Sequence, residues 1–287
     1  MASHRIIDAR YFQIACQTIF LSYGILYLHW QGYQWLYVTY FISGQLFQFI
    51  AEWIWAKHPR FSNAWFQAYR RTVPSALVSS FGLALFLRTG SIGVAVLISA
   101  ITIFSKYLLR WKGKHLFNPS ALGIVVAVWL LQAGWINPGQ WGNGTLLFFS
   151  ACLLGLIVVT RVQKLDLTLS FIFVYAFLLY TRQVWYLGWP VDHFIQSIST
   201  GSVLIFSFFM ITDPRTTPDH PVARIGWAAL VAVLAFYLQT FQFVVGAPVL
   251  SLVILQPLVP LLDRLWPHQR FSWNQSPPVL QPSLVQS

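Results

Sequence analysis

Long apolar runs alternate with short basic loops along this chain, and few folds can accommodate that pattern. Of its 287 residues, 57% are hydrophobic and only 9% are charged, whereas a soluble domain has about 25% charged residues. An apolar run of about 20 residues crosses a bilayer as a helix, which pairs all of its backbone polar groups internally. The sequence therefore predicts an all-α polytopic membrane protein that is embedded in, and in contact with, the lipid bilayer.

About ten such runs can be separated, and Trp and Tyr residues crowd their ends, as at membrane interfaces. They cover residues 14–28, 33–55, 74–87, 92–109, 119–136, 144–160, 165–180, 194–212, 222–239 and 244–265. Several are shorter than the roughly 20 residues of an upright membrane helix. Arg5 and Arg10 precede the first run and no small-residue cleavage site follows it, so we expect a retained helix and not a signal peptide.

The basic residues predict how these runs cross the membrane. If every run crosses once, sixteen of the 18 Lys and Arg residues lie on one side, and Arg88 and Arg182 lie on the other. The sixteen are Arg5, Arg10, Lys57, Arg60, Arg70, Arg71, Lys106, Arg110, Lys112, Lys114, Arg161, Lys164, Arg215, Arg224, Arg264 and Arg270. Because positive loops stay in the cytoplasm, residues 1–267 are predicted to form one domain of about ten transmembrane helices with both termini cytoplasmic. Residues 268–287 are predicted to be a disordered tail.

Charge and residue types argue against several other functions. Membrane insertion accounts for the net charge of +11, so we expect no nucleic-acid partner. Cys16 and Cys152 stand alone in apolar runs, and the histidines lie in loops or at run ends, so we expect no iron–sulfur cluster, zinc site or haem b. Glu52 is predicted to pair with Lys57, and Asp166 to open the seventh helix. No carboxylate lies in the middle of a run, where a proton or sodium pathway would need one.

The stretch from Lys112 to Val126 changes from a basic loop into an apolar run at Asn118-Pro119. Pro is well tolerated at the first position of a helix, and an Asn before it can cap the free N–H groups. The motif therefore predicts a helix that begins at the membrane boundary. Such a start is either a helix cap alone or, because helix N-termini attract electron-rich groups, one wall of a ligand site.

A second polar break follows the eighth run. The helix is predicted to end at Thr212, and Asp213-Pro214 to turn the chain sharply, because the residue before a Pro avoids the helical conformation. Asp213 is expected to accept N–H bonds as a cap or to pair with Arg215 or Lys114. This motif also is either a capped turn alone or part of a site.

By the charge distribution, both motifs lie on the cytoplasmic face. Irregular backbone is tolerated at membrane depth where it lines a cavity. We therefore predict one polar pocket, with Asn118 on one side and Asp213, Thr216 and Thr217 on the other. The eighth run, which leads into the second motif, carries several Ser, Thr and Gln residues that either pack helices closely or line a site.

Both motifs, and a third in the last run, resemble the membrane flavoprotein subunits shared by two redox-driven ion pumps. These are the D subunit of the Rnf complex and the B subunit of the sodium-pumping NADH:quinone reductase. Residues 117–123 look like the family's Phe-Asn-Pro-Ala block, residues 208–214 like its Phe-Phe-x-Ala-Thr-Asp-Pro block, and residues 252–263 like its last helix. The resemblance covers about residues 75–266. It implies a ten-helix bundle in a cell inner membrane or a thylakoid-type membrane, flavin binding, and other membrane redox subunits and quinone as partners.

The flavin that the resemblance implies is non-covalent, either riboflavin or flavin mononucleotide. The family's pump subunits attach flavin mononucleotide to the Thr of a Gly-Ala-Thr motif after the Phe-Asn-Pro helix. Here that loop has no such motif, and its single Thr, Thr145, opens the next helix. The residues expected to bind the cofactor are Lys114, Phe117, Asn118, Pro119, Thr212, Asp213, Thr216 and Thr217.

The sequence is compatible with three functions. The first is an electron-transfer membrane subunit with a non-covalent flavin or a quinone in the predicted pocket. The second is a small-solute channel or transporter, since the family fold is similar to that of urea-type channels. The third is a scaffold in a redox or biosynthetic assembly, in which both motifs serve only as helix caps. We favour the first, and no catalytic residue is identified, so the chain is at most one subunit of an oxidoreductase or translocase.

Overall fold

A computed structural model describes residues 8–30, 34–142 and 144–271. Residues 272–287 of the predicted tail and the side chain of Thr145 lie outside the described part. The described chain is mostly helical, as predicted, and each apolar run contains at least one helix. The α-helices are α1 (Ala9–Leu26), α2 (Gln34–Ile54), α3 (Asn63–Phe86), α4 (Ile92–Leu108), α5 (Pro119–Val125), α6 (Thr145–Val162), α7 (Leu165–Tyr180), α8 (Val191–Ile198), α9 (Gly201–Ile205), α10 (Pro221–Phe241), α11 (Ala247–Leu255) and α12 (Val259–Leu265).

Short strands join some of the helix ends. They are β1 (Leu87–Thr89), β2 (Arg110–Trp111), β3 (Lys114–His115) and β4 (Gly134–Ile136), and they form the antiparallel pairs β1–β4 and β2–β3. Lys112 and Gly113 connect β2 to β3 with φ angles of 48° and 83°, which suits the tight hairpin turn that needs two positive φ values. The basic stretch before Asn118 is therefore a hairpin, and it positions the start of α5.

Two helices differ most in extent from the predicted runs. The third run predicts a helix from residue 74, but α3 begins earlier because the side chain of Ser62 caps its first turn. The fifth run predicts a helix through residue 136, but helical structure ends at Leu130 and the chain turns at Gln132, whose φ is 50°. The apolar residues that follow belong to β4, because they pair with β1 at the end of α3.

Two acidic side chains near helix ends have partners within the protein. Asp166 lies in the first turn of α7, as predicted, and its carboxylate is 2.6 Å from Nε of Arg224. Glu52 accepts a 2.5 Å hydrogen bond from the hydroxyl of Tyr107 on α4. The predicted pair of Glu52 with Lys57 is not formed, because α2 packs along α4 and turns the carboxylate toward that helix.

The length and surface of the helices are those of a membrane protein. By length and composition, Leu165–Tyr186, Pro221–Phe241 and Ala247–Leu265 are long and apolar enough to cross a bilayer, and Val191–Ile198 with Gly201–Met210 gives a fourth span if this pair, bent by 45°, is counted as one. Shorter apolar helices cover Ile92–Leu108, Pro119–Leu130 and Leu147–Val162. Large apolar side chains such as Leu26 and Phe173 are exposed, as expected for a surface that faces lipid. The protein is an all-α membrane protein.

A π-helical turn, Phe206–Met210, continues α9 and ends at the second motif. Such turns are rare and often occur at functional sites. Gly155 allows α6 to pack closely against this turn, because a Cβ at that position would lie 2.6 Å from Cδ1 of Phe208. The position of the turn thus depends on a small residue in the neighbouring helix.

Gly155→Ala is expected to destabilise the protein by about 1–3 kcal/mol, because the Phe208 ring or the α6 backbone must shift. Thermal unfolding of the purified protein in detergent measures the effect. Gly226→Ala in α10 is the matched control, since nothing lies within 4 Å of the added Cβ. It is expected to leave stability unchanged or to raise it by up to about 1 kcal/mol. Equal destabilisation by both changes would contradict the close packing of α6 on the π-helical turn.

Candidate functional site

Asn118 caps α5 and connects it to two other segments. Its Oδ1 accepts the N–H of Ala121 at 3.1 Å and the hydroxyl of Ser120 at 2.8 Å, which confirms the predicted cap. Its backbone N–H donates to Oε1 of Gln256 at 2.9 Å, and its Nδ2 donates to the carbonyl of Met210 at 3.2 Å. One buried residue therefore holds three segments together through its backbone and its side chain.

The second motif leaves the Met210 carbonyl, which Asn118 binds, without its usual helical hydrogen-bond donor. In a continuing helix, the Met210 carbonyl would accept the N–H of residue 214, but Pro214 has none. Nδ2 of Asn118 takes the place of that donor. Asp213 accepts the N–H of Arg215 at 3.0 Å, so it caps the turn as predicted. The two Pro motifs are complementary, since one supplies the donor that the other lacks.

The acidic residue of the third motif, Asp263, supports the same region through ion pairs. Nζ of Lys114 lies 2.7 Å from Oδ2 of Asp263 and 2.9 Å from Oδ1 of Asp219, and it donates to the carbonyl of Thr217 at 2.7 Å. Asp263 also accepts the N–H of Asp219 at 2.8 Å. Lys114 therefore pairs with this cluster and not with Asp213, which was one of its predicted partners.

Both Pro motifs line one cavity of about 620 Å³, a size typical of small-molecule sites. Asn118 and Pro119 form part of its wall, and Thr212 and Asp213 form another part. The cavity also follows α3 from Arg71 to Phe86, which corresponds to a depth of about 20 Å at 1.5 Å per helical residue. It is a deep vestibule that begins among the broken helix ends.

Three buried polar side chains on the cavity wall have an atom without a hydrogen-bond partner among the described residues. The atoms are Oε1 of Gln17, Oε1 of Gln48 and Nδ1 of His115. These residues are only 3%, 1% and 9% exposed. A buried polar atom without a partner costs about 1–3 kcal/mol, so this wall suits a ligand that has hydrogen-bonding groups of its own.

The surroundings of the cavity control the protonation of two groups in its loops. Burial, together with the positive charges of Lys106 and Arg215, lowers the pKa of His115 to about 3. Its imidazole is therefore neutral at pH 7 and has one donor and one acceptor nitrogen. Removal from water raises the pKa of the Asp213 carboxyl, and its hydrogen bond from the Arg215 N–H opposes that rise.

The structure brings together half of the predicted cofactor-binding residues. Those that line the cavity are Asn118, Pro119, Thr212 and Asp213. Those that lie beside it are Lys114, Phe117, Thr216 and Thr217. Lys114 is held by the ion pairs described above, Phe117 packs against the apolar core, and the two Thr residues are buried in the turn, so these four do not line the cavity.

Several lining residues were missed in the sequence. Lys106 was assigned to a basic loop, but it is 4% exposed on α4 and donates to the carbonyl and hydroxyl of Ser75 at 2.9 and 3.3 Å. Gln13 and Gln17 both line the cavity, and their spacing of four residues in an apolar run is a signal for one polar helix face. Gln256, which holds Asn118 from outside the lining, gave a weaker signal as one isolated polar residue within the last apolar run.

A second cavity, of about 390 Å³, lies at the other end of α3. It is lined by residues of β4, α9 and α11, and it shares Phe86 with the first cavity. Phe86 is 4% exposed. Both cavities therefore border this buried aromatic side chain at the end of α3.

Comparison with known proteins covers the second and third motifs, and the matched region begins just after the first motif at Asn118-Pro119. The NQR2, RnfD, RnfE family matches residues 127–272, just over half of the chain. The D subunit of the ion-translocating oxidoreductase complex of Halorhodospira halophila (strain DSM 244 / SL1) is 33% identical over 66 residues. That alignment spans 23% of this chain and 18% of the relative's length. On the family match, this chain belongs to the NQR2, RnfD, RnfE family of membrane proteins.

Proposed function

We propose that this protein is a membrane-embedded electron-transport subunit that holds a non-covalent flavin or a quinone in the 620 Å³ cavity. One observation carries the proposal: the two motifs that resemble those of flavin-carrying Rnf and Nqr subunits line the same cavity, at Asn118 and Asp213. Membership in the NQR2, RnfD, RnfE family supports it. The depth and polarity of the cavity favour a bound cofactor over the alternative in which the two motifs serve only as helix caps.

The residues of the cavity fit a flat ring system with polar edges. The unpartnered atoms of Gln17, Gln48 and His115 can bond the carbonyl and N–H groups of a flavin ring, or the carbonyls of a quinone. Val158 and Phe209 line the same cavity and can pack on the ring faces. A bound flavin supplies the electron-transfer chemistry, and the protein's part is to bind the ring, orient it and exclude water.

The flavin is proposed to be non-covalent because the chain lacks the Gly-Ala-Thr motif. The relative in Halorhodospira halophila is named as a subunit of an ion-translocating oxidoreductase complex. We extend that name to this chain only as a proposal: other membrane redox subunits are its partners, and quinone is a candidate electron acceptor.

We also propose that the runs form ten membrane spans, with both termini and the mouth of the cavity in the cytoplasm of a cell inner membrane or thylakoid-type membrane. Four arginines come from four separate segments that the charge distribution assigns to one side. They are Arg10, Arg71, Arg110 and Arg215, and all line the same cavity. Their convergence supports the proposed orientation, because residues on opposite sides of a bilayer would not meet.

A second candidate function is a channel for a small solute. The observation that favours it is that both cavities border Phe86 at the end of α3. Movement of that side chain would join them into one path. This function does not require a cofactor, so it can be tested separately.

The first prediction from the proposed function concerns the cofactor. The purified protein is expected to release a flavin on denaturation, measured by absorbance and fluorescence of the supernatant. Ser79→Leu is expected to lower flavin affinity by about tenfold or more, because overlap with the ligand costs about 1–3 kcal/mol. Ser79 lines the cavity, and its hydroxyl bonds back to the carbonyl of Ser75 at 3.0 Å.

Thr160→Leu is the control for Ser79→Leu. The hydroxyl of Thr160 also bonds one turn back, to the carbonyl of Leu156 at 2.7 Å, but the residue lies on the exposed face of α6. This variant is expected to retain its flavin. Wild-type protein that is purified without flavin would contradict the proposal. An equal loss of flavin affinity in Ser79→Leu and Thr160→Leu would contradict the location of the flavin in this cavity.

The second prediction concerns orientation. In a background without Cys16 and Cys152, Lys57→Cys and Gly90→Cys place single thiols at exposed positions before and after α3. In vesicles with the cytoplasmic face outward, a membrane-impermeant maleimide is expected to label Lys57→Cys directly, and Gly90→Cys only after detergent is added. The reverse pattern would invert the proposed topology, and direct labelling of both would contradict a span between them.

The third prediction tests the channel. If the cavities form a path, Phe86→Ala is expected to increase glycerol flux into proteoliposomes above the wild-type rate, as measured by light scattering. Phe173→Ala is the matched control, because Phe173 is 72% exposed on the outer surface and its loss leaves any central path unchanged. Fluxes for Phe86→Ala no higher than those of protein-free liposomes would exclude the channel.

A further inference from the structure

A chain of hydrogen bonds leads out of the first cavity. Nε2 of Gln48 donates to the hydroxyl of Tyr107 at 2.5 Å, and that hydroxyl donates to Oε1 of Glu52 at 2.5 Å. Gln48 and Tyr107 belong to the cavity lining, whereas Glu52 does not. Glu52 lies in the last turn of α2 and is partly exposed. The chain therefore connects the inside of the cavity with a carboxylate that reaches the protein surface.

The surroundings of Tyr107 hold its hydroxyl in this chain. Its ring stacks on Trp55 with the centroids 5.2 Å apart, and the guanidinium of Arg110 lies 4.8 Å from the centre of the ring. Because the N–H of Gln48 donates to the hydroxyl oxygen, the hydroxyl hydrogen is directed to Glu52. The tyrosine is thus fixed between an amide inside the cavity and a carboxylate outside it.

The cavity end of this chain is open to a ligand. Oε1 of Gln48 has no hydrogen-bond partner among the described residues, and the residue is only 1% exposed. Buried polar atoms normally have partners, so such an exception in a cavity wall points to a group that binds there. A link that only fastens α2 to α4 gives no reason for this open acceptor. A ligand N–H or O–H that binds Gln48 lies close to the Tyr107 hydroxyl.

A tyrosine in this position can pass on a proton without being ionised, because its hydroxyl is both a donor and an acceptor. When Glu52 is protonated, its O–H donates to the Tyr107 oxygen, and the Tyr107 hydrogen turns toward the ligand. The Tyr107 proton then moves to the ligand as the Glu52 proton moves to Tyr107. One O–H bond is broken at Glu52 and one bond to hydrogen is formed on the ligand. Tyr107 ends unchanged, and Glu52 regains a proton from water at the surface.

Other routes for protons into the cavity are less favourable. Of the carboxylates in its lining, Asp8 is paired with Arg10 at 2.5 Å, and Asp213 accepts the N–H of Arg215 at 3.0 Å. The exposed arginines at the mouth oppose the approach of a positive ion from water, and a ligand that fills the cavity blocks the same way. Glu52 is exposed outside the lining, so it takes up protons without using the mouth.

We propose that Glu52 and Tyr107 form a proton relay from the aqueous phase to a ligand that is reduced in the first cavity. This inference rests on the proposed function, in which a partner redox subunit supplies the electrons. Tyr107 gives the proton to the ligand, Glu52 reloads Tyr107, and Gln48 positions both the hydroxyl and the ligand. The relay ends in the cavity and does not cross the bilayer, so it needs no carboxylate in the middle of an apolar run.

The test uses the full chain in phosphatidylcholine nanodiscs, loaded with riboflavin or with menadione as the probe. Dithionite supplies the electrons, and stopped-flow absorbance follows the reduction of the bound probe. Glu52→Gln and Tyr107→Phe are expected to bind the probe as wild type does and to slow its reduction by about a hundredfold, as the loss of a positioned proton donor does. Glu52→Ala is expected to recover part of the rate when formate is added, because a small acid replaces the lost carboxyl. A merely structural role of Glu52 would not respond to formate, and no recovery would overturn its part in the relay.

The ligand-free protein gives a second readout. If Tyr107 and Glu52 are hydrogen-bonded in solution, the double variant is expected to lower the unfolding temperature by less than the sum of the two single variants, since both remove the same interaction. Thermal unfolding in the same nanodiscs measures these shifts. Strictly additive shifts would show that the two side chains do not interact and would overturn the relay.

Tyr175→Phe is the matched control for Tyr107→Phe. The hydroxyl of Tyr175 also donates to a side-chain oxygen, Oε1 of Gln239 at 2.6 Å, but this residue lies outside the lining of the first cavity. The variant is expected to reduce the probe at the wild-type rate. Equal slowing in both tyrosine variants would overturn the relay. A rate that falls in Asp213→Asn and not in Glu52→Gln would assign the proton to the rim and also overturn it.

The outcomes separate this inference from the proposed function. Probe binding with wild-type reduction rates in both Glu52→Gln and Tyr107→Phe would overturn the relay and leave the proposed function in place. If the wild-type protein binds neither riboflavin nor menadione, the proposed function falls and the relay falls with it.

Discussion

The arrangement of the site depends on one hydrogen bond, from the amide of Asn118 to the carbonyl of Met210. In an apolar bilayer, a backbone carbonyl without a donor is costly, so a helix can stop there only where another group replaces the lost bond. Pro214 removes the helical donor, and Asn118 replaces it from a different helix. Because each break depends on the other, the space between the two helix ends is maintained as a cavity.

The remaining parts of the rim follow the same rule. Gln256 holds the backbone of Asn118, and Asp263 holds Lys114, so the last helix supports both Pro motifs. Three motifs far apart in sequence thus form one connected unit. This unit shapes the cavity, whereas the buried polar atoms on its wall that lack a partner among the described residues belong to Gln17, Gln48 and His115. A family resemblance at the motifs therefore locates the site better than it identifies the binding groups.

Local physical signals predicted most of the fold. Apolar runs predicted the helices, and Asn118-Pro119 predicted the start of α5. The charge distribution predicted that Arg71 and Arg215 lie on one side of the membrane, and in the structure both line the same cavity. Long-range contacts were not predictable in this way. Residues 134–136 continue an apolar run, which predicts a helix, but in the structure they form a strand that pairs with β1. Lys106 was predicted to lie in a loop. Hydropathy gives no information on long-range partners, and its acceptors are the carbonyl and hydroxyl of Ser75 on α3.

The charge of the cavity limits the ions that can enter it. At an effective dielectric constant of about 20, two like charges 4 Å apart repel by about 4 kcal/mol. A cation that passes Arg71, Arg110 and Arg215 meets several such charges, and Lys106 lies further along the wall. Of the two carboxylates in the lining, Asp8 is already paired with Arg10, so Asp213 offsets only part of the remaining positive charge. The exposed arginines at the mouth therefore oppose the entry of a cation into this vestibule more than the entry of a neutral or anionic species.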